Sequence, residues 1–129
     1  MAHKIPTDLK YTKDHEWIKI EKETATIGIT DFAQSALGDI VFVELPEIGK
    51  TLSAHQAFGV VESIKSVSDL FSPVSGKVFE INSGLQETPE LCNAEPYASA
   101  WMIKIKLSNL EEINALLSAS DYENFLSTL

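Results

Sequence analysis

The sequence predicts a mainly β domain, an antiparallel sandwich or barrel with short peripheral helices and two helices at its C-terminal end. Three observations carry this prediction. Short runs of alternating apolar and polar residues recur between residues 17 and 107. Turn signals separate them at the close spacing of antiparallel strands. Capping signatures mark the few helices, and a length of 129 residues fits one domain over 1–129.

Taken in order, "WIKIE" (17–21) places Ile18 and Ile20 on one face and Lys19 and Glu21 on the other, and "TATIGI" (24–29) follows after a short turn. "TDFAQSALG" (30–38) reads as a helix with Thr30 as N-cap, Asp31 in the first turn and Gly38 as its stop. "DIVFVEL" (39–45) sets Val41, Val43 and Leu45 on one face. "AFGVVES" and "SVSDLF" form a hairpin folded back at Ser63–Ser66. After "GKVFEI" (76–81), "TPELCN" (88–93) predicts a helix with Thr88 as cap and Pro89 at the first helical position. In "WMIKIKL" (101–107), Trp101, Ile103, Ile105 and Leu107 alternate with Met102, Lys104 and Lys106. Capping boxes at Ser108/Glu111 and Ser120/Glu123 open the last two helices. Tyr122, Phe125, Leu126 and Leu129 form one apolar stripe for core packing. A faint echo links "GDIVFVELPEIGKTL" (38–52) with "GKVFEINSGLQETPEL" (76–91), as in a sandwich of two similar halves.

Composition narrows the function. The net charge is −9 with only ten basic residues, all scattered, which argues against nucleic acid and anionic membrane surfaces as partners. A positively rimmed protein partner suits such a chain. One cysteine forms no internal disulfide, and no stretch approaches the roughly 18 apolar residues of a membrane span. The N-terminal segment lacks a signal-peptide pattern, so a soluble, cytoplasmic, monomeric protein is expected.

The catalytic inventory is poor. His3, His15 and His55 show no metal-ligand spacing, no nucleophile elbow or phosphate loop occurs, and Cys92 reads as a buried structural thiol. In "DHEW" (14–17), an extended chain would point Asp14 and Glu16 one way and His15 the other, so the three cannot hold one ion, though two carboxylates face one spot. The alternative is a solvated acidic strand end. Lys65 stands out more. It is the only Lys or Arg between Lys50 and Lys77, at the tip of a turn with no Gly, Pro, Asn or Asp from Val60 to Ser68. Tertiary constraint must hold such a turn, and local rules break most often at functional sites. Val60, Val61, Ile64 and Val67 are expected to brace it, and Glu62 and Asp69 flank the lysine.

The segments "YTKDHEWI" (11–18), "IGITDFAQSALGDIVFVELPEIGK" (27–50), "AFGVVESIKSVSDLFSPVSGKV" (57–78) and "WMIKIKLSN" (101–109) resemble the H proteins of the glycine cleavage system, a family of lipoyl carriers. The resemblance covers about residues 9–127. It implies a flattened β-barrel or sandwich of lipoyl-domain type, a barrel-sandwich hybrid, with a core over 9–107 and C-terminal helices over 109–127. It also implies lipoic acid in amide linkage to Lys65, so that the cofactor supplies the chemistry and the chain is a carrier, not an enzyme. The implied partners are the pyridoxal-phosphate glycine decarboxylase that loads an aminomethyl group, the tetrahydrofolate-dependent aminomethyltransferase, dihydrolipoyl dehydrogenase and a lipoate-attaching enzyme. Glu16 and Asp69 match the cradle that shelters the loaded arm in the family. Asp14 matches a neighbouring position, and Glu62 is assigned to the modifying enzyme.

The sequence departs from the family at Ala98 and Ala100, where glycine is usual. Alanine adopts positive φ only at a cost, so this loop and any partner contact on it are expected to differ. Cys92 replaces an aliphatic residue. The other readings are a biotin carrier, which would place Met on both sides of the lysine where Ile64 and Ser66 stand, a lipoyl-relay donor, and an unmodified interaction module.

Overall fold

A computed structural model describes residues 3–129. Among these residues, nine strands form two antiparallel sheets. The larger has the order β1 (Lys10–Tyr11), β2 (Glu16–Glu21), β3 (Thr24–Ile29), β9 (Ile103–Leu107), β8 (Gly76–Ile81), β5 (Thr51–Leu52). The smaller has the order β4 (Ile40–Glu44), β6 (Ala57–Ser63), β7 (Val67–Phe71). This is the flattened barrel-sandwich arrangement expected, with four short α-helices and one 3-10 helix around it.

Period-2 patterning fills the space between the sheets. Ile18, Ile27, Ile103 and Ile105 from one sheet pack with Val43, Val61 and Leu70 from the other in a single buried cluster. A second cluster holds Leu9, Tyr11, Trp17 and Tyr122. There the Tyr11 and Tyr122 rings stack 4.7 Å apart, and the Trp17 indole N–H donates to the Pro96 carbonyl at 2.9 Å. This cluster docks α4 (Ala119–Leu126) on the sandwich. The C-terminal stripe is therefore packing at Tyr122, Phe125 and Leu126, while Leu129 is exposed.

Several local expectations are corrected. Val41 is not on the core face: a register shift between Ile40 and Phe42 turns it outward, leaving Ile40 and Val43 buried. β9 starts at Ile103, and Met102 is buried as well, with its N–H donating to Ile27 O. Thr88 does not cap the following helix. It ends α2 (Ser83–Glu87), which the sequence pattern missed, by donating its N–H to Gly84 O; α3 (Leu91–Ala94) begins beyond Glu90. Asn109 rather than Ser108 caps the 3-10 helix Leu110–Ala115. The last capping box is Ser118/Asp121, not Ser120/Glu123.

Other expectations hold. Thr30 caps α1 (Asp31–Leu37) by accepting from Ala33 N–H, and Gly38 ends it at φ +87. The echo of two similar halves does not hold beyond the strands: β4 leads to β5 and β8 to α2, in opposite sheets. Ala98 and Ala100 sit in turns closed on Glu95 O, neither with positive φ, and Ala100 is fully buried.

Candidate functional site: the Lys65 hairpin and the acidic cleft

The β6–β7 hairpin pairs Val60 with Asp69, Val61 with Ser68 and Glu62 with Val67. Its tip is Ile64–Lys65, and the turn is made by a side chain. Ser63 N–H donates to Ser66 O at 2.8 Å, and the Ser63 hydroxyl oxygen accepts from the N–H groups of Lys65 (3.2 Å) and Ser66 (3.0 Å). A serine hydroxyl thus supplies the hydrogen bonding that Asn or Asp usually provides. Tertiary structure adds a second hold, as Ile64 N–H donates to Asp39 O at 3.1 Å and Ser63 pairs with Ile40 of β4. No residue of the tip has positive φ.

The expected apolar bracing is only partly present. Val61 is buried and Val60 half-buried, but Ile64 and Val67 are 71% and 65% exposed. Strand alternation puts Val67 outward beside Glu62, and Ile64 lies beyond the last strand pair. Hydrogen bonds rather than packing fix the tip. Lys65 is exposed and makes no ion pair with Glu62 or Asp69 among the described residues. Its side chain passes over Gly38, where an added Cβ would stand 3.1 Å from Lys65 Cε.

A cleft of about 490 Å³ opens between the 12–16 segment, the end of β7 and the 3-10 helix. Asp14, Glu16, His55, Phe71 and Glu112 all line it. Glu16 is the only buried carboxylate among the described residues of the cleft, at 2% exposure. Thr12 donates its hydroxyl to the Glu16 carboxylate at 2.7 Å, and Phe71 N–H donates at 3.4 Å. Burial, with a smaller contribution from the charge of Asp14, raises the Glu16 pKa to about 7 against the opposing hydrogen bonds from Thr12 and Phe71. Glu16 is therefore not a solvated strand-end acid.

Asp14 and Glu16 do border one space, but not by strand alternation. Residues 12–15 form a turn, closed by His15 N–H on Thr12 O and Thr12 N–H on Glu16 O, with His15 at φ 68. That conformation turns the His15 ring away to Tyr122 OH, 2.9 Å from Nδ1. Burial lowers the His15 pKa, partly offset by Asp14. Asp69 is exposed on β7 and does not line the cleft. It stands on the outward row Val67, Asp69, Phe71, which leads from beside the tip to the cleft over about 13 Å at a strand's rise per residue. Sequence reasoning missed Ser63, Thr12, His55 and Glu112. Only the first two had a local signal, a hydroxyl two or three residues before the N–H it accepts from.

The model of the glycine cleavage H-protein family matches residues 9–129. The chain belongs to that family. The glycine cleavage system H protein of Carboxydothermus hydrogenoformans is 56% identical over 122 residues, covering 95% of this chain and 94% of its own. That of Symbiobacterium thermophilum is 54% identical, covering 94% of each. The crystal structure of the Mycobacterium marinum H protein superimposes with a TM-score of 0.89 at 41% identity, over 95% of this chain and 99% of that one. Cys92, the departure in α3, is fully buried, and burial raises its pKa to about 12, which suits a packing role in an H protein. No group of three or more His, Cys, Asp or Glu among the described residues is placed to hold a metal ion, and no helix is long and apolar enough to cross a membrane.

Proposed function

We propose that this H protein is the lipoyl-bearing carrier of a glycine cleavage system, with lipoic acid attached to Lys65. The observation that carries this reading is the tip itself. Ser63 and Asp39 hold an exposed lysine rigidly on a hairpin with no left-handed residue, the one basic residue between Lys50 and Lys77. Attachment forms an amide: Lys65 Nζ attacks the acyl carbon of an activated lipoyl donor, the bond to the activating group breaks, and the amine proton leaves to solvent.

The chain's residues fit the group. The cleft offers Phe71, Leu116 and Leu117 to an alkyl arm, and Asp14 and Glu16 to an amine at its end. When bound, the dithiolane supplies the sulfur that takes up an aminomethyl unit and the disulfide–dithiol couple that dihydrolipoyl dehydrogenase restores. Glu16 holds a cation by charge-assisted hydrogen bonding. Asp69 lies on the path between tip and cleft and attracts the same cation. Burial around Glu16 limits water at that end. The partners are the glycine decarboxylase, the aminomethyltransferase, dihydrolipoyl dehydrogenase and the lipoate-attaching enzyme, each reached by the tethered arm at raised effective concentration.

Intact-mass measurement of protein from its native host tests this, with Lys65→Arg alongside, which keeps the charge but offers no primary amine. A lipoyl increment on wild type and none on the variant is expected. A biotin increment, or a lipoyl increment surviving in Lys65→Arg, overturns the assignment.

A further inference from the structure

The outer face of the three-stranded sheet is a checkerboard. Register aligns Phe42, Glu62 and Val67 in one row and Glu44, Val60 and Asp69 in the next. Their inward neighbours Val43, Val61 and Leu70 are buried, so these six point outward. Phe42 and Val67 are 44% and 65% exposed, and Ile64 at the tip extends the apolar surface. Three carboxylates alternate with the apolar groups, no strand of this sheet carries a lysine, and Lys50 borders the face beside Glu44, with which it lines one hollow.

The acidity of this face is an arrangement and not only a consequence of net charge. On the outer face of the six-stranded sheet, register aligns Lys19, Thr26, Lys104 and Glu80 in one row and Glu21, Thr24, Lys106 and Lys77 in the next. Four of the ten basic residues thus lie on the far side of the sandwich, with Lys77 directly opposite Lys106. Like charges directly opposite each other cost stability, yet the lysines stand there, while the strands β4, β6 and β7 themselves carry none.

We propose that the outer face of β4, β6 and β7 is the docking surface for the enzyme that acylates Lys65, and that this enzyme meets it with an apolar contact ringed by lysine or arginine. The proposal rests on the reading of Lys65 as the attachment site. Reach selects this occupant. Before acylation Lys65 has only its own side chain to extend, and that side chain lies over Gly38. An enzyme working on its amine must close directly on Phe42, Ile64 and Val67, whereas enzymes acting at the far end of the arm stand off by its length. Exposed apolar residues interleaved with acids give the contact area, and the carboxylates steer a basic-rimmed partner and set its orientation.

The test is the steady-state kinetics of acylation by the lipoate-attaching enzyme of the source organism. Wild type is compared with Phe42→Ser, Val67→Ser, Glu44→Lys and, on the opposite face, Phe79→Ser, with folding of each checked by circular dichroism. Phe42→Ser and Val67→Ser should raise KM about tenfold with kcat little changed, as loss of contact anchors does. Glu44→Lys should lower kcat/KM most at low ionic strength, and Phe79→Ser should match wild type. Acylation with KM unchanged in Phe42→Ser and Val67→Ser overturns the docking surface alone. No acylation of wild type overturns the assignment of Lys65 and the docking proposal with it.

Discussion

The backbone N–H of Phe71, at the end of β7, donates to the carboxylate of Glu16, at the start of β2, across a 3.4 Å gap that joins the two sheets. With Thr12 on the other oxygen, this is the whole hydrogen-bonding environment of a buried acid whose pKa stands near 7. Stability must then depend on pH in a defined direction. The folded state binds the Glu16 proton more tightly than the unfolded state, so the contribution is fully present below pH 4.5 and is lost as pH rises through about 7. The shift corresponds to at most about 3 kcal/mol. Urea unfolding of wild type and Glu16→Gln at pH 5 and pH 8 checks it. Wild type should lose stability relative to the variant at the higher pH, and a pH-independent difference between the two would rule the argument out.

The same acid predicts a pH-dependent grip on a cation. An amine entering the cleft favours ionised Glu16 and so pulls its pKa downward. Retention of an aminomethyl-loaded arm should weaken as pH falls through a midpoint at or below about 7, because a proton then competes for the carboxylate. The lifetime of loaded protein, followed without partner enzymes, should be shorter in Glu16→Gln and should lose this pH dependence. Charge-assisted bonds of about 1.5–3 kcal/mol against about 1 for neutral ones set the scale. Equal lifetimes at low salt, where screening is weakest, would leave Glu16 with a structural role only.

Ser63→Ala removes the oxygen that accepts from Lys65 and Ser66 N–H. Water reaches the exposed tip and replaces part of this, so the cost should be about 1 kcal/mol. The sharper readout is local. Amide exchange at Lys65 and Ser66 should quicken while the β6 and β7 amides near Val61 and Leu70 keep their protection, and acylation of Lys65 should slow. Unchanged exchange at the tip would mean that the backbone bonds of Ser63 to Ser66 and of Ile64 to Asp39 hold the turn without the hydroxyl.

The strands and their faces were legible because alternation survives in one sequence: β3 and the buried Ile103, Ile105 and Leu107 of β9 follow it directly, and β8 follows it as far as Val78, where its register shifts. α1 was legible because Thr30 and Gly38 bracket it with unambiguous chemistry. Elements failed where two registers compete or partners are distant. Ser118/Asp121 and Ser120/Glu123 both satisfy a capping box, and Tyr122 stacking on Tyr11 is compatible with the helix start observed. Val41 was lost to a bulge that no residue type announces. In the site, Lys65 was visible through what surrounds it in sequence. The burial of Glu16 was not, because Phe71 lies 55 residues away, and Glu112 reaches the cleft edge by bonding Ser75 from 37 residues on.

Glu62 and Asp69 occupy adjacent rows of the same outward face, yet their positions along the hairpin differ. Glu62 pairs with Val67, two positions from the tip, beside the residues an acylating enzyme must cover. Asp69 pairs with Val60 further down β7, on the way to Phe71 and the cleft. Glu62→Gln should therefore slow acylation of Lys65 while protein already carrying lipoate still turns over. Asp69→Asn should slow acylation less than Glu62→Gln does but lose its load sooner. Both acids are solvent-accessible, so each effect should be modest, about three- to fivefold from under 1 kcal/mol of electrostatic interaction, and should shrink as salt rises. The measurements are the acylation rate of unmodified protein and the glycine cleavage rate with prelipoylated protein. If prelipoylated Glu62→Gln lost turnover as badly as Asp69→Asn, both carboxylates would serve the arm, and the division along the strand would have to be given up.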